Sequence, residues 1–209
     1  MHIKNLLTEG LVDYAYADKI QRQYHKDIVD GKMDNTLIVA QFKNVYTAGS
    51  RTKKEHLLNV KNYIKVDRGG SVTWHGAGQL VVYPIVRLKD PTNVILYIRT
   101  IEKAVLQALQ DKFSLQVTTL EGKSGVWLTE PNRKICAIGL RVANGVTMHG
   151  IALNISPDMY YFSQIIPCGL SDCSATSLKE ENVKVDFEDC ANTIVEYLEK
   201  YLKPIIVNL

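Results

Sequence analysis

The stretch IIPCGLSDCSATS runs from Ile165 to Ser177 and holds two cysteines, Cys168 and Cys173, with no histidine among these residues. A thiol attacks as its thiolate, so it needs a neighbour that helps it lose a proton. Pro167 fixes the backbone before Cys168 and Gly169 follows it, which leaves that thiol on a turn where a free N–H can serve as an oxyanion donor. Cys173 follows Asp172, and a nearby carboxylate disfavours a thiolate. Cys190 reads as helix core. Cys136 lies two residues past Lys134, which puts both side chains on one face of a regular strand. Cys168 therefore ranks first as a nucleophile and Cys136 second.

Three further segments mix polar heads with glycines and apolar residues. In RGGSVTWHGAGQL, Arg68 to Leu80, four glycines (Gly69, Gly70, Gly76, Gly78) allow close approach and positive φ around Arg68 and His75. The pattern is neither GxGxxG nor a P-loop, and it reads as a ligand-lining loop flanked by strands. In RKICAIGLRV, Arg133 to Val142, alternation sets Ile135, Ala137, Gly139 and Arg141 on one face. Lys134 begins that strand beside apolar neighbours; a lysine at a strand start is usually just exposed, whereas a desolvated one can shuttle a proton near neutral pH. In MHGIALNIS, Met148 to Ser156, His149 and Asn154 sit in an apolar strand next to Gly150. Taken alone, His149 reads as a structural, hydrogen-bonded histidine.

These side chains need a scaffold. Tyr14 to Asp30 reads as a polar-rich helix closed by Gly31. Val94 to Lys112 reads as a helix with Ile98, Ile101, Val105 and Leu109 on one face. Asp186 caps a last helix that buries Cys190, Ile194, Leu198 and Tyr201. TLIVAQF (Thr36 to Phe42) and QLVVYPIV (Gln79 to Val86) read as strands, joined by Gly125 to Leu128, Lys134 to Val142 and Thr147 to Ile155. Helices and strands intersperse without a strict βαβ rhythm, so the expected fold is mixed α+β in the α/β class: a mixed sheet flanked by helices.

The 209 residues suffice for one full core and are short for two, so a single domain over residues 1–209 is expected. At 46% hydrophobic and 22% charged residues, the composition is that of a globular domain. No apolar run is long enough to span a bilayer, and Met1 to Gly10 lacks a secretory h-region. Four cysteines without export imply reduced thiols and a cytoplasmic location; their spacing does not suggest zinc. Lys43 to Arg68 carries seven Lys/Arg against two acidic residues, whereas Lys179 to Lys200 carries three Lys against seven. The basic segment is either a solvated surface or a docking face for an acidic partner. It lacks the aromatic platforms of a nucleic-acid binder.

Together these segments resemble the octanoyltransferases of lipoate biosynthesis (lipoyl/octanoyl transferase, lipoate–protein ligase B). The resemblance runs from about Tyr46 to Leu178, with RGGSVTWHGAGQLVVYPI, SGVWL, KICAIGLRV, MHGIALN, IIPCG and ATSL in the family's order. Ala77 stands where the family commonly has proline, and Cys136 where a small residue is usual. The resemblance implies a fold like the catalytic domains of biotin protein ligase and class II aminoacyl-tRNA synthetases. It implies octanoyl-acyl carrier protein as donor. The implied acceptors are lipoyl domains of 2-oxoacid dehydrogenase complexes and the H protein of glycine cleavage. By the same resemblance, Cys168 is the nucleophile and Lys134 its activator. The implied acyl-binding residues are Arg68, Gly69, Gly70, Ser71, Val72, Thr73, Trp74 and His75, with Ala137, Ile138, Gly139, Gly150, Ile151 and Ala152. No cofactor, metal, nucleic acid or membrane is expected, since the donor is already activated.

Three rival readings differ in chemistry. A Cys-His hydrolase would use Cys168 with His149 or His75. An ATP-dependent lipoate or biotin ligase would use the lysine without a required cysteine. A non-catalytic carrier-binding module would keep the basic face and ignore loss of Cys168.

Overall fold

The computed structural model describes residues 1–166 and 173–208. In chain order the elements are β1 (His2–Asn5), β2 (Leu11–Val12), α1 (Tyr14–Val29), β3 (Thr36–Phe42), β4 (Val45–Ala48), β5 (Ile64–Lys65), β6 (Val72–His75) and β7 (Gln79–Ile85). Then follow α2 (Val94–Phe113), β8 (Thr118–Leu120), β9 (Lys123–Leu128), β10 (Arg133–Ala143), β11 (Val146–Asn154), β12 (Ser174–Ala175) and α3 (Phe187–Leu202).

Among the described residues, nine strands form one mixed sheet in the order β1-β3-β7-β11-β10-β9-β8, with β2 added beside β3 and β12 beside β10. The long central pairs are antiparallel, while β1, β2 and β12 join in parallel. Successive side chains of a strand point to opposite faces, so each strand feeds two cores. Leu37 and Val39 pack with α2 and α3, whereas Ile38, Ala40 and Phe42 pack with α1. The mixed sheet flanked by helices is therefore the architecture expected from the sequence.

Local chemistry explains the helix limits. The Asn93 side chain accepts from Leu96 N–H and caps α2. Its buried stripe is Tyr97, Ile101, Ala104, Val105, Ala108 and Leu109; Ile98 is only half-buried at the stripe's margin. Asp186 accepts from the N–H groups of Glu188 and Asp189, as its position predicts. Gly31, with φ of +70°, follows the end of α1.

Two findings depart from the sequence reading. First, RGGSVTWHGAGQL is not one loop. Residues 72–75 form β6, which pairs with β4 in a separate small sheet, order β5-β4-β6. Gly70 and Gly78 take positive φ there, whereas Gly69 and Gly76 do not. Second, Lys134 and Cys136 do not share a face. The β9–β10 register shifts between them, as at a β-bulge. One extra residue inverts the alternation, so Ile135 and Cys136 both enter the core under α2 and α3, while Lys134 and Ala137 face the other way.

Candidate active site

A cavity of about 340 Å³ opens between the small sheet and the large one. Its floor is the antiparallel pair β10–β11, where Ala137 lies opposite Ala152 and Gly139 opposite Gly150. Small residues in both cross-strand pairs leave room above the sheet. Gly150 is also required for the sheet itself, because a Cβ there would lie 2.3 Å from the Val82 carbonyl oxygen. The roof is the 68–71 loop, which crosses Gly139: a Cβ on Gly139 would come within 3.0 Å of Arg68 Cδ. Ile138 and Ile151 border the cavity between these pairs while their side chains pack in the core with α2 and α3, and Tyr83, His75 and His149 line the cavity beyond the floor.

Arg68 is buried and knits the roof together. Its guanidinium donates to the carbonyls of Gly69 and Ser71 and to both the carbonyl and hydroxyl oxygens of Thr47. On β6 the period of two divides the expected binding residues. Ser71, Thr73 and His75 line the cavity, whereas Val72 and Trp74 point into a separate apolar cluster with Phe162 and Ile165. There the Trp74 ring stacks on Tyr161 at 4.8 Å.

Lys134 enters the cavity wall through the β10 bulge and is only 9% exposed. Its Nζ lies 4.5 Å from the centroid of the Trp127 ring, a cation–π contact. Its aliphatic stem runs past Gly125, where a Cβ would meet Lys134 Cε at 3.3 Å. Cys168 lies outside the described residues. Cys136, the second-ranked thiol, is fully buried, and burial pushes its pKa up to about 12 despite the charge of Lys134. It stays protonated and faces the wrong core.

The two histidines are engaged. Gln79 Nε2 donates to the Trp74 carbonyl and to Asn154 Oδ1, so Gln79 Oε1 accepts from His75 Nδ1–H at 2.7 Å. Burial depresses the His75 pKa to about 3. His149 is likewise lowered by burial, opposed by Asp67, which bonds its Nε2 at 2.8 Å. Neutral, fully bonded rings suit a pocket lining better than a thiol's base.

His75 also makes a stability prediction. An unfolded histidine takes up its proton near pH 6.5, and the folded one near 3. A depressed base contributes stability in full above about pH 6.5 and loses it as pH falls toward 3. Urea unfolding should give about 2 kcal/mol less stability at pH 5 than at pH 7 from this group. His75→Gln should remove most of that difference; an unchanged slope would contradict the buried neutral ring.

Several lining residues carried no sequence signal: Tyr83, Lys123 and His56. Ser71 Oγ–H donates to His56 Nδ1 at 2.6 Å, and Lys123 Nζ donates to Cys173 Sγ at 3.3 Å. Cys173, disfavoured from its sequence neighbours, lines a small side chamber together with Lys134 and Trp127. Arg51 and Lys53, from the basic segment, are exposed at the cavity margin. No helix among the described residues is long and apolar enough to cross a membrane.

The mixed sheet with its flanking helices has the fold of lipoate and biotin ligase catalytic domains. The fold is shared with lipoate-protein ligase A bound with ATP (TM-score 0.72, 15% identity, 97% of this chain and 86% of that one). It is shared too with biotin protein ligase from Aquifex aeolicus (TM-score 0.57, 16% identity, 97% and 69%). Residues 13–199 match the family model of the lipoyl protein ligase A/B catalytic domain. The octanoyltransferase of Salinispora arenicola is 42% identical over 181 residues, 84% of each chain, and that of Thermobifida fusca 41% over 209 residues, 96% of this chain and 87% of the relative. The chain belongs to the octanoyltransferase family within this class, and it is an acyltransferase.

Proposed function

We propose that the chain moves an octanoyl group from octanoyl-acyl carrier protein to the target lysine of lipoyl domains through a thioester on Cys168, with Lys134 handling the protons. The acceptors would be lipoyl domains of 2-oxoacid dehydrogenase complexes and the glycine cleavage H protein, and residues 1–209 would act as one catalytic unit. The observation that carries this reading is the buried Lys134 in the wall of a cavity floored by Ala137, Gly139, Gly150 and Ala152.

In the first step the Cys168 thiolate attacks the donor carbonyl; an S–C bond forms to Cys168 and the carrier leaves as a thiol. Lys134 as ammonium favours the thiolate, and as amine it takes the thiol proton. In the second step the acceptor amine forms an N–C bond, Cys168 leaves, and the product is an amide. One lysine that exchanges its proton serves both steps. The floor of small residues, Ala137, Gly139, Gly150 and Ala152, suits an unbranched acyl chain. His75 and His149 would shape the cavity. Their hydrogen bonds and depressed basicity speak against the Cys-His hydrolase.

The test mixes the protein with octanoyl carrier protein and an apo lipoyl domain, without ATP, and reads the domain's mass. An octanoylated domain is expected. Free octanoate alone would mean a hydrolase, product only with ATP a ligase, and no product a binding module.

The basic margin gives a further expectation. Carrier proteins of fatty-acid synthesis are acidic; Arg51 and Lys53 stand exposed at the cavity margin, and the exposed Lys54 follows Lys53 in the chain. Long-range attraction speeds encounter without touching chemistry. Reversing charge at Lys53 and Lys54 should lower kcat/KM for the carrier-bound donor by about 1–2 kcal/mol, with the contrast shrinking as salt rises. A small octanoyl thioester should be nearly unaffected. Equal losses for both donors would assign the segment to the pocket instead.

A further inference from the structure

Asp67 does not line the cavity, yet three elements converge on it. His149 on β11 donates from Nε2 to Asp67 Oδ1 at 2.8 Å. Arg22 on α1 donates twice, to Oδ1 and Oδ2, at 3.1 Å each. Arg141 on β10 donates to Oδ2. Burial alone would raise this carboxyl's pKa, but the bonds from Arg22 and His149 outweigh it and hold it well below the usual carboxylate range.

The donor roles are fixed from outside. Gln21 Oε1 accepts the His149 backbone N–H at 3.0 Å, so Gln21 Nε2 is the amide nitrogen. That nitrogen donates to Asp18 Oδ1 at 2.7 Å and meets His149 Nδ1 at 3.4 Å, which makes Nδ1 an acceptor. The ring proton therefore sits on Nε2 and points at Asp67. His149 also holds φ of +58° inside a strand, an unfavourable conformation for a side chain with a Cβ. Such strain persists only where the surroundings hold it, here from both backbone and ring.

Position in the chain makes this network more than a surface ion cluster. Asp67 directly precedes Arg68, the first residue of the cavity roof, while two of its partners, His149 and Arg141, stand on the floor strands. Gly69 N–H, donating to the Leu140 carbonyl at 2.9 Å, is a second tie between roof and floor.

We propose that Asp67 is a positioning residue: by accepting from His149, Arg141 and Arg22 at once, it latches the 68–71 loop onto the β10–β11 floor and so sets the height of the acyl cavity. This role rests on the octanoyl-transfer reading for its kinetic consequence, and on geometry alone for its structural one.

Asp67→Asn keeps the shape but turns a donor toward the guanidinium groups. With octanoyl carrier protein and apo lipoyl domain, KM for the donor should rise at least tenfold while kcat changes less than threefold. A loss of folded protein would lower kcat and leave KM alone. Adding His149→Gln to Asp67→Asn should cost much less than it does in the wild type. Independently of activity, amide hydrogen exchange should quicken at least tenfold in residues 68–71 of Asp67→Asn and stay unchanged in β7. If wild-type protein transfers nothing, the functional reading fails while the exchange experiment still decides the latch. Unchanged exchange in the loop, uniform quickening everywhere, a donor KM within twofold of wild type, or multiplicative losses in the double variant would overturn it.

Discussion

Lys134→Ala should lower octanoyl transfer by about 10²- to 10⁴-fold, the range a positioned proton carrier supplies. The expectation follows from where the bulge puts this side chain. A regular strand would pair Lys134 with Cys136 on one face; the shift in β10 sends Cys136 into the core and Lys134 into the cavity wall. There it is buried against Trp127 and Gly125, with little freedom to wander. Alkylation of Cys168 near neutral pH should slow in the same variant if Lys134 favours the thiolate as proposed. Lys134→Arg separates charge from proton exchange, since arginine does not deprotonate. It should retain part of the alkylation rate and still fail at transfer. Full turnover with arginine would reduce the lysine to an electrostatic aid.

Cys168→Ser should bring transfer down to the rate without enzyme. The substitution preserves size and hydrogen bonding but replaces a thiol with a hydroxyl, which is far harder to ionise, so the proton transfer proposed for Lys134 would not generate an effective nucleophile. The two core thiols are unsuited to replace it. Cys136 and Cys190 are both buried with pKa values pushed up to about 12. Cys173 is nearer to the chemistry, in a side chamber beside Lys134 with Lys123 on its sulfur. A parallel Cys173→Ser variant that kept most of its activity would assign the loss to Cys168; the reverse pattern would move the nucleophile to Cys173.

The parts of this molecule that were legible in its residues are those with a local pattern. TLIVAQF and QLVVYPIV are apolar enough to be central strands, and β3 and β7 are indeed adjacent there. The Asp186 cap and the stripe on α2 follow from spacing over a few residues. What stayed hidden is non-local. The small sheet joins Val45–Ala48 to Val72–His75 and to the two-residue β5 between them, segments separated in sequence, so no periodicity announced it. The bulge at Lys134 is a matter of register between two strands, and one residue of slip was enough to reverse the expected partnership with Cys136. Of the candidate site, Lys134, the glycine-rich stretch and Gly150 stood out as residue types, whereas Ala137, Gly139 and Ala152 entered as binding residues only through the family resemblance. Asp67, Tyr83, His56 and Lys123 were not, because each acquires its role only when distant strands and loops meet. Val72 and Trp74 fell within the expected binding stretch but face away, a consequence of strand alternation within a segment read as loop.

The central claim is that the acyl group travels on the protein. Its most direct test is intact mass during a two-stage reaction: first octanoyl carrier protein alone, then an excess of apo lipoyl domain. The account predicts one added octanoyl group in the first stage, mapping to the peptide that contains Cys168 and absent from Cys168→Ser. In the second stage that mass should disappear from the enzyme as it appears on the lipoyl domain. Transfer without any enzyme adduct, or an adduct that persists in Cys168→Ser or maps to Cys136, would contradict it.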